Sequence, residues 1–389
     1  MERFFLILKT PLTIKIYSSK TELPDNWDSL ATSTIFLSSE YIEILEKSAP
    51  KNMICHFIGF YKNSELVGIA LSQFLDLNKL ESFGERDNCI KTSARNLILK
   101  NFCSYILIIG NNMLTGQNAF AFSNKINKIE GLYSLKIASE KLKTIFKAKG
   151  YTSHITTFKD FPFEETYEFK KAKFTDYHQF STQPNMIFDI PKHWKSEQDY
   201  INALSKKYRD QYKRARKKSE GIVKRKMNLD DIIKQEDTIY DLYFHVAENA
   251  HFNTFFLQKN HFRTFKELLK DKFLFYGYFL DEKLIGFNTI IKNGDVIDTY
   301  FLGYDDSIQR EKMLYLNMLY DMIAYSINNG FKEIIFARTA LEIKSSVGAK
   351  PQEMYGFMKH SNSTINLVAN KIFRYLEPEV VWQERNPFK

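Results

Sequence analysis

The sequence predicts an α/β (α+β) protein of two consecutive domains, each a mixed, largely antiparallel sheet flanked by helices. Three observations lead there: a length of 389 residues, a strand-turn-strand pattern that occurs twice, and a helix-to-strand passage that follows each copy. A chain of this length exceeds one comfortable core, and 44% hydrophobic with 15% aromatic residues is ample for burying two.

The first repeat is a hairpin. Residues 57–70, FIGFYKNSELVGIA, align without a gap to 275–288, FYGYFLDEKLIGFN, keeping Phe57/Phe275, Gly59/Gly277, Leu66/Leu284 and Gly68/Gly286. Each reads as a strand, a polar turn (Lys62 to Glu65; Asp281 to Lys283) and a second strand. The second repeat is an amphipathic helix stopped by glycine before a strand. It runs LKIASEKLKTIFKAKGYTSHITTF around Gly150 and YLNMLYDMIAYSINNGFKEIIFA around Gly330. The offset between copies is 218 for the hairpins and 180 for the helix-strand passages, so the first copy carries a longer excursion, including YILIIGNNMLTGQNAF. Pro184 and Pro191, around a short strand, mark the expected boundary, giving domains 1–188 and 189–389.

Composition excludes several classes. The apolar runs Phe4 to Leu8 and Tyr105 to Ile109 fall far short of the ~20 residues of a membrane span. Neither resembles a signal-peptide core, so a cytoplasmic protein is expected. Cys55, Cys89 and Cys103 form no CxxC pair and the eight histidines include no HExxH spacing, so no metal is expected and no thiol intermediate is indicated. There is no nucleophile elbow, Walker loop or GxGxxG.

The charge is local. Between Lys206 and Lys226 lie eleven Lys or Arg against Asp210 and Glu220, which equals the net charge of +9 of the whole chain. At helical spacing, Ile201, Leu204, Tyr208, Tyr212 and Ala215 form an apolar stripe. Lys206, Lys207, Arg209, Lys213, Arg214, Arg216 and Lys217 spread over the other side. With one acid among eight bases from Lys206 to Lys218, the face lacks the ion pairs of an ordinary solvated helix. It points to a phosphate-bearing partner: a coenzyme or carrier phosphopantetheine, tRNA, or an anionic membrane surface.

The stretch IIFARTALEIKSSVGAKP, residues 334–351, combines a buried strand with a short helix. Thr339 followed by Glu342 fits a capping box, and Gly348 fits the helix end. Arg338 and Lys344 are surplus to that explanation, and Arg338 sits at the carboxyl end of a strand, where α/β folds gather ligand-binding groups. At the matching point of the first copy stands Phe158, followed by KDFPFEET; this places the ionisable cluster, and the chemistry, in the second copy.

Two units of hairpin, helix and strand in one chain resemble the GNAT acyltransferase fold in tandem, as in the Fem-type peptidyl and aminoacyl transferases. The motifs that carry the resemblance are YINALSKKYRDQYKRARKK and FARTALEIKSSVGAKP. It implies transfer of an acyl or aminoacyl group to an amine, with acyl-coenzyme A or an acyl-carrier protein as co-substrate, no tightly bound cofactor, and a degenerate first unit. Groups of this family that N-acylate lipid amines or envelope precursors suggest residence at the inner face of a membrane. One departure weighs against ordinary acetyl-coenzyme A: the segment DDSIQREKMLYLNMLYD, where the family places a phosphate-binding glycine loop, has no glycine.

Amide formation needs a proton acceptor for the ammonium and donors for the tetrahedral oxyanion. Glu342 is the first candidate base, with Arg338 or Lys344 orienting an anionic group, and His251 in VAENAHFNTFF is the rival base. Tyr300 and Tyr304 on DVIDTYFLGYD are candidate proton donors, each weighed against a packing role. Two other functions stay open: a tRNA-dependent aminoacyltransferase of peptidoglycan type, disfavoured by the absence of a long helical arm, and a non-catalytic nucleic-acid or membrane-binding module.

Overall fold

The computed structural model describes residues 12–79, 102–249, 253–368 and 382–389. His251 and Cys89 lie outside these residues. The first unit contains β1 (Thr13–Tyr17), helix α1 (Ser39–Ser48), β2 (Met53–Lys62), β3 (Glu65–Asp76), β4 (Tyr105–Ile109), β5 (Phe120–Phe122), α2 (Lys128–Ala148), β6 (Ile155–Pro162), α3 (Phe163–Lys171) and β7 (His178–Asp189). The second contains α4 (Glu197–Ala203), α5 (Lys206–Lys218), β8 (Val223–Met227), α6 (Leu229–Lys234), α7 (Glu236–Glu248), α8 (His261–Leu269), β9 (Phe273–Leu280) and β10 (Lys283–Asn293). It continues through β11 (Val296–Tyr304), α9 (Asp306–Lys312), α10 (Leu314–Asn328), β12 (Glu333–Ala337), α11 (Leu341–Ser346) and β13 (Lys350–His360).

The repeated hairpins are β2–β3 and β9–β10. Both turn through two left-handed residues, Asn63 with Ser64 and Asp281 with Glu282, the backbone that matches the twist of paired strands. The repeated helices α2 and α10 end before Gly150 and Gly330, each at positive φ, and lead into β6 and β12 as the sequence predicts.

What the sequence does not predict is the join. The strands form one sheet in the order β1-β2-β3-β4-β6-β13-β7-β12-β11-β10-β9-β8, with β5 beside β3. The last strand of each unit crosses to the other: β13 pairs antiparallel with β6, and β7 pairs antiparallel with β12. The two exchanged strands pair antiparallel with each other, from Lys350 opposite Ile187 to Met358 opposite His178. The proline-marked stretch, expected to be a boundary around a short strand, is therefore a twelve-residue strand near the middle of the sheet. Pro184 is tolerated because it falls where the β7–β13 register shifts, between Asn185 opposite Gln352 and Thr182 opposite Met354.

Three cores follow. One packs α2 and α3 on the first half of the sheet, around Phe74, Phe146, Phe158 and Phe357. A second packs α4, α5 and α10 on the other half, around Tyr200, Tyr208, Ile290 and Ile334. The third lies on the opposite face and draws on both units: Phe36, Tyr41 and Leu71 from the first meet Phe265, Phe275 and Tyr300 from the second. Helices α1 and α8 pack together there. The His261 Nδ1–H donates to the Ser48 carbonyl (3.0 Å), and Asn52 Nδ2 donates to the Thr254 carbonyl (2.9 Å).

The turn after β12 is the least ordinary backbone in the second unit. Ala337, Thr339 and Ala340 all have positive φ, a conformation costly for residues with a Cβ. This corrects the capping box. Helix α11 starts after left-handed Ala340 with no side-chain cap, because Thr339 is itself part of the bend. Gly348 does end the helix, with its N–H donating to Ser345 O (3.0 Å) and that of Ala349 to Lys344 O (3.1 Å), the paired bonds of a Schellman motif. Lys344 holds the bend from within: its buried Nζ donates to the carbonyls of Arg338 (2.6 Å) and Ala337 (3.3 Å).

Burial pulls the Lys344 ammonium down to about 7. The unfolded chain then binds the extra proton between that value and the ordinary lysine value of about 10.4, so this residue's share of stability increases with pH across that window and is flat below it. The unfolding free energy of wild type minus that of Lys344→Met, measured by denaturant titration from pH 6 to 10, is expected to increase above pH 7 with a slope of at most about 1.4 kcal/mol per pH unit. A difference that stays constant with pH would show that Lys344 is not titrating in the folded protein.

Candidate active site

In each unit two neighbouring strands, β4 and β6 in the first and β11 and β12 in the second, run parallel and then part. In the first, β4 and β6 pair from Ile106 opposite Ile155 to Ile109 opposite Phe158. Gly110, at φ +136, then turns the chain away. The gap beyond is bridged by Lys159, whose buried Nζ donates to the carbonyls of Asn111 (3.0 Å) and Leu114 (3.2 Å) and to the Asp160 carboxylate. In the second, β11 and β12 pair for three residues, ending at Asp298 opposite Ile335. Past that point no hydrogen bond between described residues joins 299–304 to 336–340. The second unit keeps an open splay; the first is stitched shut.

The strand exchange brings the two units' charges together. Arg338, at the end of β12, forms an ion pair with the fully buried Asp160 of β6. Asp160 thus holds two cations, Lys159 and Arg338. This revises the expectation that the ionisable cluster belongs to the second unit alone: the first contributes Lys159 and Asp160, one and two residues past Phe158. The letters were legible in KDFPFEET, but not their partner, which comes from a strand 178 positions away in the sequence. Arg338 Nε has no hydrogen-bond partner among the described residues.

The other candidates fall into separate places. Glu342 lies on the half-exposed side of α11, where Arg385 Nε donates to its carboxylate (3.0 Å). Arg385 also donates its backbone N–H to Ser345 Oγ (3.0 Å), so the pair straps the segment 382–389 to the helix. Tyr300 is buried in the shared core with its hydroxyl donating to His261 Nε2 (3.0 Å). That assignment follows from His261 Nδ1, which carries the proton donated to Ser48, and from burial, which pushes His261 down to about 4 and so keeps it neutral. Burial also raises the Tyr300 phenol above its ordinary value. Tyr304 is half-buried at the end of β11 and stacks near Tyr315, again with a raised phenol.

The basic segment folds as two helices, α4 and α5, broken at Leu204 and Ser205, with the apolar stripe inward: Leu204, Tyr208 and Ala215 are buried. Lys206, Lys207, Lys213 and Arg214 are exposed, as are Lys217 and Lys218. Two of the expected anion contacts are not free. Arg209 Nη2 donates to the Leu204 carbonyl (2.8 Å). Arg216 turns toward α10, donating to Asp321 (2.7 Å), Glu197 (2.8 Å) and Asn317 (3.3 Å) while lying over the rings of Tyr212 and Tyr320. Tyr278 OH donates to the second oxygen of Asp321 (2.9 Å), and Lys224 lies 3.4 Å from it.

Arg216 also fixes what lies at the mouth of the splay. Asn317, its partner, donates to the carbonyls of Ala215 (2.9 Å) and Met313 (3.0 Å), tying α5 to the start of α10. Met313 is left-handed (φ +50) and separates α9 from α10. This left-handed turn is made by a residue that carries a Cβ, at the cost of backbone strain. Among the described residues no group of His, Cys, Asp or Glu could hold a metal ion, and no helix is long and apolar enough to cross a membrane.

One buried group had no sequence signal. Three carboxylates are buried among the described residues: Asp76, Asp160 and Asp298. Asp76 has Lys79 at 3.8 Å and Asp160 has Lys159 and Arg338, but Asp298, the last paired residue before the splay, has no cation. Asn293 Nδ2 donates to its Oδ2 (3.0 Å), and Asn293 Oδ1 accepts from the Ile35 N–H of the first unit (2.9 Å).

No protein-family model matches the chain, and no curated protein matches it. Solved structures do. FemX superposes with a TM-score of 0.56 at 12% identity, over 92% of this chain and 99% of FemX. The L-PGS structure from Bacillus licheniformis gives 0.46 at 12% identity, over 86% and 95%. A tandem GNAT protein from the clavulanic acid biosynthesis pathway gives 0.47 at 8%, over 90% and 99%. The likeness to FemX extends over nearly the whole of both chains: this protein has the Fem-like fold of two GNAT-like units in tandem.

Proposed function

We propose that the second unit transfers an acyl group from acyl-coenzyme A to an amine. The single observation that carries this reading is the open splay between β11 and β12, set against its stitched counterpart in the first unit. An extended thioester arm needs a gap between strand edges whose unpaired N–H and C=O groups can meet its amides, and among the described residues only the second unit offers one. The donor's phosphates would meet the start of α10, where the first N–H groups of a fifteen-residue helix are unsatisfied, and the exposed cations of α5 beside it. The Fem-like fold supports the same class of reaction. Transfer forms the C–N bond, breaks the C–S bond and releases a thiol.

In this arrangement Arg216 is a support rather than a phosphate ligand. Lys213, Arg214, Lys217 and Lys218 are exposed cations with no ion-pair partner among the described residues, and the same face would suit an anionic membrane surface carrying an amino-lipid acceptor.

Thiol release, followed with a set of acyl-coenzyme A donors of increasing length against small primary amines and amino-lipids, is expected to give amine-dependent turnover. Release from aminoacyl-tRNA alone would replace this reading with the tRNA-dependent one, and silence with every donor would remove both. A second outcome concerns the donor's phosphates. Reversing Lys213, Arg214 and Lys217 to Glu should raise the KM for acyl-coenzyme A about tenfold or more while leaving that for acyl-pantetheine, which lacks the nucleotide phosphates, nearly unchanged. Equal effects on the two donors would mean that the basic face does not read phosphate.

A further inference from the structure

Asp298 occupies a position with three physical oddities. It is a carboxylate with 3% exposure and no cation, although the two other buried carboxylates in the described residues each have one. Its Oδ2 is oriented by Asn293, which is itself held from the first unit, whereas Oδ1 has no donor among the described residues. It is also the last residue of β11 paired to β12, so it stands at the apex of the splay.

Direction matters as much as place. Ile297 belongs to the core under α10, and Tyr300 to the core shared by the two units. Strand alternation therefore turns Asp298, like Tyr300, toward the shared face. A donor entering from the α10 end and an acceptor entering from the face between the units would meet at this apex.

We propose that Asp298 receives the ammonium group of the acceptor amine and takes its proton. This assignment rests on the acyl-transfer reading above. The ammonium supplies the missing cation: a buried carboxylate without one is costly, and a buried ion pair is strong when one partner is already oriented. One N–H proton then passes to Asp298 Oδ1, and the nitrogen lone pair attacks the thioester carbonyl. As the C–S bond breaks, the second proton of the nitrogen goes to the departing thiolate, giving amide and thiol. Asp298 later returns its proton to solvent.

The surroundings suit that exchange. Burial raises the Asp298 carboxyl to about 7, against the lowering effect of the Asn293 hydrogen bond and with a smaller upward push from Glu333 on β12. Beyond Glu333 stand two more acids, Asp189 and Asp295, the latter already paired with Lys332. From β10 the facing group is the neutral Asn293. A proton acceptor with a value near the working pH is the efficient one.

The test compares wild type with Asp298→Asn, which keeps the shape, and Asp298→Glu, which keeps the carboxyl. Wild-type kcat/KM for a primary amine is expected to fall on the acid side of about pH 7. Asp298→Asn should lose that limb and drop kcat/KM about 100-fold or more, with the donor KM within about twofold, while Asp298→Glu retains a limb. Hydroxylamine, largely uncharged at neutral pH, needs no such proton removal, so Asp298→Asn should lose far less rate with it than with an alkylamine. A structural defect would lower both equally. If wild type turns over and Asp298→Asn keeps the limb and the rate, or loses both acceptors alike, this assignment is overturned and the acyl-transfer reading stands. If wild type transfers to no amine from any thioester, both fall.

Discussion

The antiparallel pairing of β7 with β13 is the contact on which the rest of the arrangement depends. Each strand leaves the unit that precedes it and completes the sheet of the other, so the two halves become one continuous sheet. With the strands exchanged, neither half has a free edge at the centre, and exposed edges are what open sheets must otherwise protect. Exchange also fixes distance. It sets the end of β12 beside the end of β6, which is how Arg338 comes to pair with Asp160, and it leaves α1 and α8 close enough to build one core from both units. A cut between residues 188 and 189 would leave β13 on one piece and its partner β6 on the other.

Buried charge then specifies geometry more than it adds stability. Desolvating an ion pair costs several kcal/mol per ion and the attraction offsets this only with good geometry, but losing one partner is strongly destabilising. Asp160 with Lys159 and Arg338, and Arg216 with Asp321 and Glu197, both satisfy that condition through several oriented contacts. The first locks the register between units and closes the first unit's gap. The second holds the basic helix against the beginning of α10. A slipped strand would leave Asp160 unpaired in a nonpolar interior, which makes that alternative expensive; the Arg216 cluster is partly exposed, so its loss would cost less.

The elements that were legible in the sequence are those whose cause is local. The paired hairpins carry their turns in four residues, and the helices α2 and α10 carry their stops in Gly150 and Gly330. The apolar stripe of the basic segment faces inward, with Leu204, Tyr208 and Ala215 buried and Ile201 and Tyr212 partly so, but it missed the buried Tyr200, because the segment is two helices rather than one. What was not legible is set by contacts between distant strands. A twelve-residue strand containing Pro184 looks like a domain boundary until its register shift is known, and KDFPFEET looks apolar until Arg338 arrives to claim Asp160. The capping box failed for a related reason: the spacing of Thr339 and Glu342 was right, but the bend held by Lys344 puts Thr339 in the left-handed region. His261 and Asp298 have no motif at all, and only their surroundings distinguish them.

The two units share a fold and differ in what fills the space between their parallel strands, β4 and β6 in one and β11 and β12 in the other. An ammonium group, Lys159, spans the first gap and finds a carboxylate waiting in Asp160. At the apex of the second gap a carboxylate, Asp298, is in place, and no ammonium among the described residues reaches it. Read as chemistry rather than architecture, the first unit contains internally the pair that the second lacks. An amine acceptor arriving as its ammonium would restore in the second unit the same charge balance that Lys159 provides in the first. It would do so reversibly, with the open strand edges beside it free to hold the group that the amine attacks. The contrast between a gap filled from within and one left open is what the proposed use of the second unit alone rests on.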